Sequence, residues 1–209
     1  MKNPRIAVAL AALAAVSSSA LAQSNTPACE AALKAPAPKV RLTTNMGAIV
    51  LQLDHEKAPI STENFIKYVG SGHYDGTVFH RVIDNFMVQG GGMDKDYREK
   101  PGREPIKNEA SNGLKNDAYT VAMARTNVYD SATAQFFINA KDNDFLNYSG
   151  PGTGYAVFGK VVDGRPVVDR IRKVKVQQSR FSEATPLEPV VIEKAECMAA
   201  AAAAAPAKK

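Results

Sequence analysis

The chain has 209 residues, which is enough for one domain with a substantial hydrophobic core. Hydrophobic residues make up 45% of it and charged residues 22%, a composition typical of globular proteins. The net charge is +5, and it falls to +3 when the N-terminal segment described next is removed. This bias is too small to indicate a nucleic-acid-binding protein.

The first 22 residues have the pattern of a secretory signal peptide. Lys2 and Arg5 form a short positive region, and residues 6–16 are an unbroken apolar run that is too short to span a membrane. Residues 20–22, Ala-Leu-Ala, supply a small-x-small cleavage pattern, so Gln23 is the expected N-terminus. We therefore predict an exported protein, with a buried or interfacial helix as the alternative. We expect no other segment to cross a membrane.

The composition divides the rest of the chain into a domain and two flanking segments. Residues 23–39 contain three prolines among alanine, serine and asparagine, which predicts an extended linker. Residues 40–196 show no break in composition and no internal repeat, so we predict a single domain. Residues 197–209 are mostly an alanine run, and because so short a helix is marginal without packing, we predict a disordered tail.

The two cysteines, Cys29 and Cys197, flank this domain. In an oxidising compartment such a pair can form a disulfide. Because the termini of single domains often lie close together, the bond would join them. Two free thiols are the alternative, since the sequence does not give the Cα separation that a disulfide requires.

Most of the domain has the alternating pattern of β-strands. Residues 39–54, KVRLTTNMGAIVLQLD, alternate on both sides of a central Asn-Met-Gly and predict a hairpin. Residues 79–93, FHRVIDNFMVQGGGM, predict two strands around an Asp-Asn turn. Four more β-rich runs follow, which are AYTVAMA (118–124), AQFFINA (134–140), YAVFGKVV (155–162) and PVVIEKAEC (189–197).

Two segments have helical periodicity instead. PISTENFIKYV, residues 59–69, and PVVDRIRKV, residues 166–174, each begin with a proline and repeat their apolar residues at helical spacing. Many antiparallel strands with two helices predict a closed barrel whose ends the helices cover.

Motifs for covalent, phosphate and metal chemistry are absent from the sequence. There is no GxSxG nucleophile motif and no P-loop, and the three histidines lack the spacing of metal ligands. His80 directly precedes Arg81 in the same predicted strand, so its side chain should point to the opposite face of the strand. We expect it to be a hydrogen-bonded structural histidine.

Three polar residues share predicted strand faces with large apolar ones. Arg81 lies two positions from both Phe79 and Ile83, and Gln89 and Gln135 each lie two positions from another large apolar residue. One such residue is readily explained as an edge position that reaches water. Three together favour an apolar pocket with a few placed polar groups, which is how ligand sites are built.

The stretch FHRVIDNFMVQGG, residues 79–91, closely resembles the signature of the cyclophilins, which are peptidyl-prolyl cis–trans isomerases. MARTNVYDSATAQFFIN (123–139), DFL (144–146) and GYAVFGKVVDG (154–164) follow in the order expected of that family, so the resemblance covers about residues 40–194. The Arg-Thr pair at 125–126, Phe145 and Tyr155 resemble the bacterial exported branch, which implies a periplasmic location. The implied fold is mainly β, an eight-stranded antiparallel closed barrel capped by two α-helices.

The resemblance also implies roles for individual residues. Arg81 resembles the catalytic arginine, and Gln89 resembles the glutamine that helps to orient the substrate. The residues that resemble the apolar pocket for the proline ring are Phe86, Met87, Phe137 and Leu146. The residues that resemble the groove for the residues preceding proline are Ala124, Arg125 and Gln135. Phe145 and Tyr155 stand where many eukaryotic members carry Trp and His, so weak binding of cyclosporin, the inhibitor associated with the family, is expected.

The implied activity is rotation of X–Pro bonds in exported proteins, which assists their folding, without a cofactor or a metal. The implied partners are proline-containing unfolded or partly folded polypeptides. Neither nucleic acid nor, after signal cleavage, a membrane is expected as a partner, and the protein is expected to be a monomer. The alternative is a non-catalytic proline-peptide-binding module or holdase chaperone that uses the same pocket; loss of the arginine would favour it, but Arg81 is present.

Overall fold

A computed structural model describes residues 26–198. The predicted signal peptide, residues 1–22, and the alanine run after residue 198 lie outside the described residues. Among the residues that are described, no helix has the length and apolar character needed to cross a membrane.

Within residues 26–198, ten strands and three α-helices make up the domain. The strands are β1 (Lys39–Thr44), β2 (Gly47–Leu53), β3 (Thr77–Ile83), β4 (Met87–Asp94), β5 (Thr120–Met123), β6 (Phe136–Asn139), β7 (Val157–Asp163), β8 (Val176–Gln177), β9 (Thr185–Pro186) and β10 (Val191–Met198). The helices are α1 (Thr26–Ala32), α2 (Pro59–Gly70) and α3 (Arg165–Ile171). Short 3₁₀ turns span Ala110–Asn112 and Asp144–Leu146.

Eight of the strands form a closed antiparallel barrel, which confirms the predicted fold class. Their order around the barrel is β1-β10-β3-β4-β6-β5-β7-β2, and β8 and β9 pair in a separate two-stranded sheet. Closure leaves no unpaired barrel edge, which removes the usual route to edge-to-edge association.

The two helices predicted from periodicity are present. Helix α2 begins at Pro59, a position where the missing N–H of proline costs nothing. Helix α3 ends at Ile171, three residues before the predicted end. Lys173 and Val174 donate backbone hydrogen bonds to carbonyls three residues back, so the last turn is tighter than an α-helix.

The segment predicted as an extended linker contains helix α1, so that prediction was wrong for residues 26–32. Cys29 and Ala32 are buried, and α1 packs against α2 and β10. A disulfide joins Cys29 to Cys197, with the two Cα atoms 5.0 Å apart. Cys197 is therefore a buried residue of β10 rather than the first residue of a disordered tail.

The apolar residues form two clusters on opposite faces of β4, β5 and β6. Neighbouring residues on these strands fall into different clusters because successive side chains point to opposite faces. The main core takes Val88, Val121 and Ile138. The second cluster takes Met87, Ala122 and Phe137, together with Leu146 and Val157. The second cluster lies beneath the candidate site, and Met87, Phe137 and Leu146 from it form the floor.

One expectation from the alternating pattern was wrong: Arg81 does not share a face with Phe79. The pairing of β3 with β4 shifts register between these two residues, and Phe79 belongs to the main core. Such a shift adds a residue to one strand and reverses the alternation beyond it. Ile83, on the other side of Arg81, packs against the second cluster as expected.

His80 is buried, with 4% of its surface exposed. Burial lowers the pKa of His80 to about 4, and the neighbouring charge of Arg81 acts in the same direction. The histidine is therefore neutral at neutral pH. Its Nδ1 atom has no hydrogen-bond partner among residues 26–198, whereas a backbone hydrogen bond with Val78 opposes the effect of burial on the pKa, so the expected hydrogen-bonded role is met only in part.

Candidate active site

A groove of about 150 Å³ lies over the second cluster. The residues that line it are Arg81, Phe86, Met87, Gln89, Ala124, Arg125, Phe137, Leu146 and Tyr155. All of them are among the candidate site residues named from the sequence. The two remaining candidates, Gln135 and Phe145, contact lining residues from the edge of the groove.

The floor of the groove is apolar. Met87, Phe137 and Leu146 are buried, and the Tyr155 ring stands edge-on to Phe137 with the ring centroids 5.8 Å apart. The small volume of the groove and its apolar floor suit a compact hydrocarbon ring better than a long side chain.

Arg81 is placed beside this floor by the pairing of β3 with β4. Arg81 and Gln89 are direct partners across the two strands, and Nη1 of Arg81 lies 3.5 Å from Oε1 of Gln89. The same nitrogen lies 3.7 Å from the Met87 sulfur. The guanidinium carbon is 5.6 Å from the centroid of the Phe86 ring, a cation–π distance. One corner of the guanidinium therefore faces the apolar pocket.

A second glutamine extends the polar edge of the groove. Nε2 of Gln89 donates a hydrogen bond to Oε1 of Gln135 at 2.9 Å. Gln135 can take this position because Gly92 lies beside it; a Cβ on Gly92 would come within 2.5 Å of the Gln135 side chain. The two amides form a row that begins at Arg81 and leads away from the floor.

Arg125 and Tyr155 form the other side of the groove. The Arg125 side chain donates to the carbonyl oxygens of Gly154 and Thr126 at 3.1 and 2.9 Å. Its guanidinium carbon lies 4.6 Å from the centroid of the Tyr155 ring. These contacts hold a second positive charge in the groove, over the face of an aromatic ring.

Phe145 lies at the rim and is 71% exposed. Its ring is stacked on Phe86, with the centroids 5.5 Å apart. Phe145 thus widens the apolar surface beyond the pocket without closing it.

Three buried asparagines support the groove, and sequence analysis did not find them. Asn143 donates to the Phe86 carbonyl at 2.8 Å and to the Asn139 side chain at 2.7 Å. Asn139 in turn donates to Asn116, which donates to the Leu146 carbonyl at 3.2 Å. This network joins the backbone segments that carry Phe86 and Leu146. No sequence signal marks an asparagine as part of a buried network, because the same residue type is also common in exposed turns.

Glu183 was also missed. Nε and Nη2 of Arg81 donate to its carboxylate Oε1 at 2.9 and 2.6 Å. The hydrogen bond from Arg81 lowers the pKa of Glu183, so the carboxyl is ionised at neutral pH. The two residues are 102 positions apart, and Glu183 belongs to none of the motifs quoted above.

A closed barrel that carries an arginine, Arg81, beside the apolar floor of an outward-facing groove defines a class of protein that binds a small apolar group and offers it a hydrogen-bond donor. A model of the family "Cyclophilin type peptidyl-prolyl cis-trans isomerase/CLD" matches residues 39–197. The chain belongs to this family.

Named relatives agree with the family assignment. The chain is 57% identical over 162 residues to peptidyl-prolyl cis-trans isomerase cyp18 of Streptomyces antibioticus, covering 76% of this chain and 98% of the relative. It is 52% identical over 157 residues to peptidyl-prolyl cis-trans isomerase B of Escherichia coli K12, covering 74% and 96%.

A solved structure shares the fold. The crystal structure of a cyclophilin type peptidyl-prolyl cis-trans isomerase from Cryptosporidium parvum has a TM-score of 0.65 at 24% identity, covering 79% of this chain and 99% of that one. A crystal structure of the same Cryptosporidium protein in the presence of the dipeptide Ala-Pro has a TM-score of 0.64 at 25% identity, covering 78% and 99%.

Proposed function

We propose that the protein is a peptidyl-prolyl cis–trans isomerase whose active site is the groove around Arg81. The single observation that carries this proposal is the position of the Arg81 guanidinium, with Nη1 turned towards an apolar floor that includes Met87. Relatives that are 52–57% identical and bear the name of this activity support it.

The reaction needs no covalent intermediate. Amide resonance gives the X–Pro bond a rotational barrier of about 18–20 kcal/mol. An enzyme lowers this barrier if it binds the twisted bond better than either planar form. On twisting, the prolyl nitrogen loses conjugation and becomes a better hydrogen-bond acceptor. A donor that is aimed at that nitrogen therefore stabilises the twisted form selectively.

The groove contains the groups that this mechanism requires. Arg81 presents a rigid, planar set of donors, so it serves as the group that donates to the prolyl nitrogen. The floor made by Met87, Phe137 and Leu146 holds the proline ring still while the preceding carbonyl rotates. Gln89, fixed by its hydrogen bond to Gln135, orients the carbonyl side of the bond.

The substrates that we propose are proline-containing unfolded or partly folded polypeptides in the periplasm, where rotation of their X–Pro bonds assists folding. The signal-like pattern of residues 1–22 supports export. A Cys29–Cys197 disulfide is in keeping with an oxidising compartment. A proline dipeptide as ligand is supported by the structure of the Cryptosporidium relative in the presence of Ala-Pro. One chain supplies every strand of the barrel and every residue that lines the groove, so the proposed active form is a monomer.

A protease-coupled assay tests this function directly. A protease that cleaves only the trans form of a proline peptide reports the rate of exchange from cis, which takes roughly tens to hundreds of seconds without a catalyst. The exchange rate should rise in proportion to the protein concentration. Peptide binding without any acceleration would contradict the proposal and leave a binding module or holdase. Export is tested separately, by sequencing the N-terminus of the periplasmic protein, which should begin at Gln23.

A further inference from the structure

The Arg81 guanidinium is divided between two environments. Its Nε–Nη2 edge faces Glu183, and both nitrogens donate to the same carboxylate oxygen. Its remaining corner, Nη1, faces the groove, where Met87 and Gln89 lie 3.7 and 3.5 Å away. The position of the carboxylate thus decides which N–H groups remain for a substrate.

Glu183 lies in a turn between β8 and β9 that is internally braced. The Ser179 hydroxyl accepts backbone hydrogen bonds from Phe181 and Ser182 at 3.1 and 3.3 Å and pairs with the Thr185 hydroxyl at 2.7 Å. The Ser182 hydroxyl accepts a hydrogen bond from the Ala184 amide at 3.0 Å. These bonds fix the backbone on both sides of the glutamate.

The same turn is attached to the strands that carry the site. The backbone N–H of Val82, next to Arg81, donates to the Ala184 carbonyl, next to Glu183, at 2.9 Å. Phe181 stacks on Tyr97, with the ring centroids 5.5 Å apart, and the Tyr97 hydroxyl donates to the Pro186 carbonyl at 3.2 Å. Glu183 therefore stands at a defined place relative to β3.

The Arg81–Glu183 pair is not explained by its contribution to stability. The two side chains are 28% and 57% exposed, and ion pairs as open as this stabilise folded proteins very little. An arginine side chain has several rotatable bonds, however, and a free one would sample many orientations at the groove. The pair removes that freedom from the one cation that the proposed reaction needs.

We propose that Glu183 is a positioning residue for catalysis: it holds the Nε–Nη2 edge of Arg81 so that Nη1 points at the prolyl nitrogen. This inference rests on the proposed isomerase function. Glu183 does not need to touch the substrate.

Two substitutions separate orientation from charge. Glu183→Ala removes both the acceptor and the charge, whereas Glu183→Gln removes the charge but keeps a carbonyl oxygen that can accept from both nitrogens. Glu188→Ala is the matched control, because it removes an exposed carboxylate from the same segment without a contact to Arg81.

In the protease-coupled assay, Glu183→Ala should lower kcat/KM by about threefold or more, because a misplaced catalytic group costs rate even when substrate still binds. The loss should fall on kcat, with KM little changed. Glu183→Gln should recover at least half of that loss, and Glu188→Ala should match the unsubstituted protein. A second measurement does not depend on turnover: the Arg81 Nε–H signal in a ¹H–¹⁵N spectrum should exchange slowly with water in the unsubstituted protein and quickly in Glu183→Ala.

The outcomes distinguish the two proposals. An unsubstituted protein without activity overturns the isomerase function and, with it, this inference. If the unsubstituted protein is active, a Glu183→Ala value of kcat/KM within twofold of it overturns the positioning role alone. A rise in kcat/KM would also overturn that role, because the contact would then be inhibitory. The positioning role is also overturned if the kcat/KM of Glu183→Gln is no higher than that of Glu183→Ala.

Discussion

Arg81 and Gln89 face each other across the β3–β4 pair, and the distance from Nη1 of the arginine to Oε1 of the glutamine is 3.5 Å. This relationship places a charged donor and a neutral amide on the same side of the apolar floor. The two side chains would therefore meet opposite ends of the same rotating peptide bond, the arginine at the nitrogen and the glutamine at the carbonyl side.

Replacing Arg81 by alanine should lower kcat/KM by at least about tenfold. A charge-assisted hydrogen bond contributes about 1.5–3 kcal/mol, and each 1.36 kcal/mol changes a rate by about tenfold. The measurement is the protease-coupled assay, with circular dichroism to show that the barrel is intact. Arg81→Lys is the matched variant: it keeps the charge but not the planar array of donors, so it should also lose activity. Near-normal activity in Arg81→Ala would exclude the proposed mechanism.

The disulfide should stabilise the domain without taking part in catalysis. It joins residues 168 positions apart in sequence. Such a bond contributes about 2–4 kcal/mol to the free energy of unfolding, because it lowers the conformational entropy of the unfolded chain. The purified exported protein should show no free thiol until it is reduced. Replacing both Cys29 and Cys197 by serine should lower the free energy of unfolding in urea, while the folded variant keeps its kcat/KM because neither residue lines the groove. Two reactive thiols in the oxidised protein would rule the bond out.

Cyclosporin should inhibit the protein weakly, and Phe145→Trp should strengthen the inhibition. Phe145 offers an exposed apolar ring but no indole N–H. An acceptor on the drug that loses its partner on burial costs about 1–3 kcal/mol, which is roughly one to two powers of ten in affinity. Turnover should change little, since the pocket floor is made by other residues. Titration of the drug against both proteins measures this; strong inhibition of the unsubstituted protein would show that another difference, such as Tyr155, controls binding.

His80 should make the domain less stable as the pH falls. Its pKa is lowered from 6.5 to about 4 in the folded protein, mainly by burial, so the unfolded chain binds the proton more readily. The stability due to the neutral histidine is complete above about pH 6.5. It declines as the pH falls from about 6.5 to about 4 and is lost below about pH 4. At about 1.36 kcal/mol per pH unit, the loss is about 3 kcal/mol in total. Urea unfolding between pH 7 and pH 5 should show a smaller decline in His80→Gln; an unchanged pH dependence would contradict this assignment.

Local patterns in the sequence were sufficient for most of the barrel and for helix α2. Alternation with a period of two predicts strands because each buries one face, and the Pro59 start with apolar residues on one side predicts a helix. The residues that line the groove were also named from the sequence, because the resemblance of residues 79–91 and 123–164 to the cyclophilins carries their positions with it. These features depend on interactions between residues that are close in the chain or on a family motif that is continuous.

Tertiary structure alone decided three features. Helix α1 is too short to be stable by itself. It is stabilised by packing on α2 and β10 and by the disulfide from Cys29 to Cys197, and neither can be read from helix propensity. The register shift between Phe79 and Arg81 depends on how β3 pairs with β4, which alternation within β3 cannot specify. The contact of Glu183 with Arg81 joins residues 102 positions apart. Such a contact forms because the closed barrel brings the β8–β9 turn beside β3, and no pattern within either segment encodes that proximity.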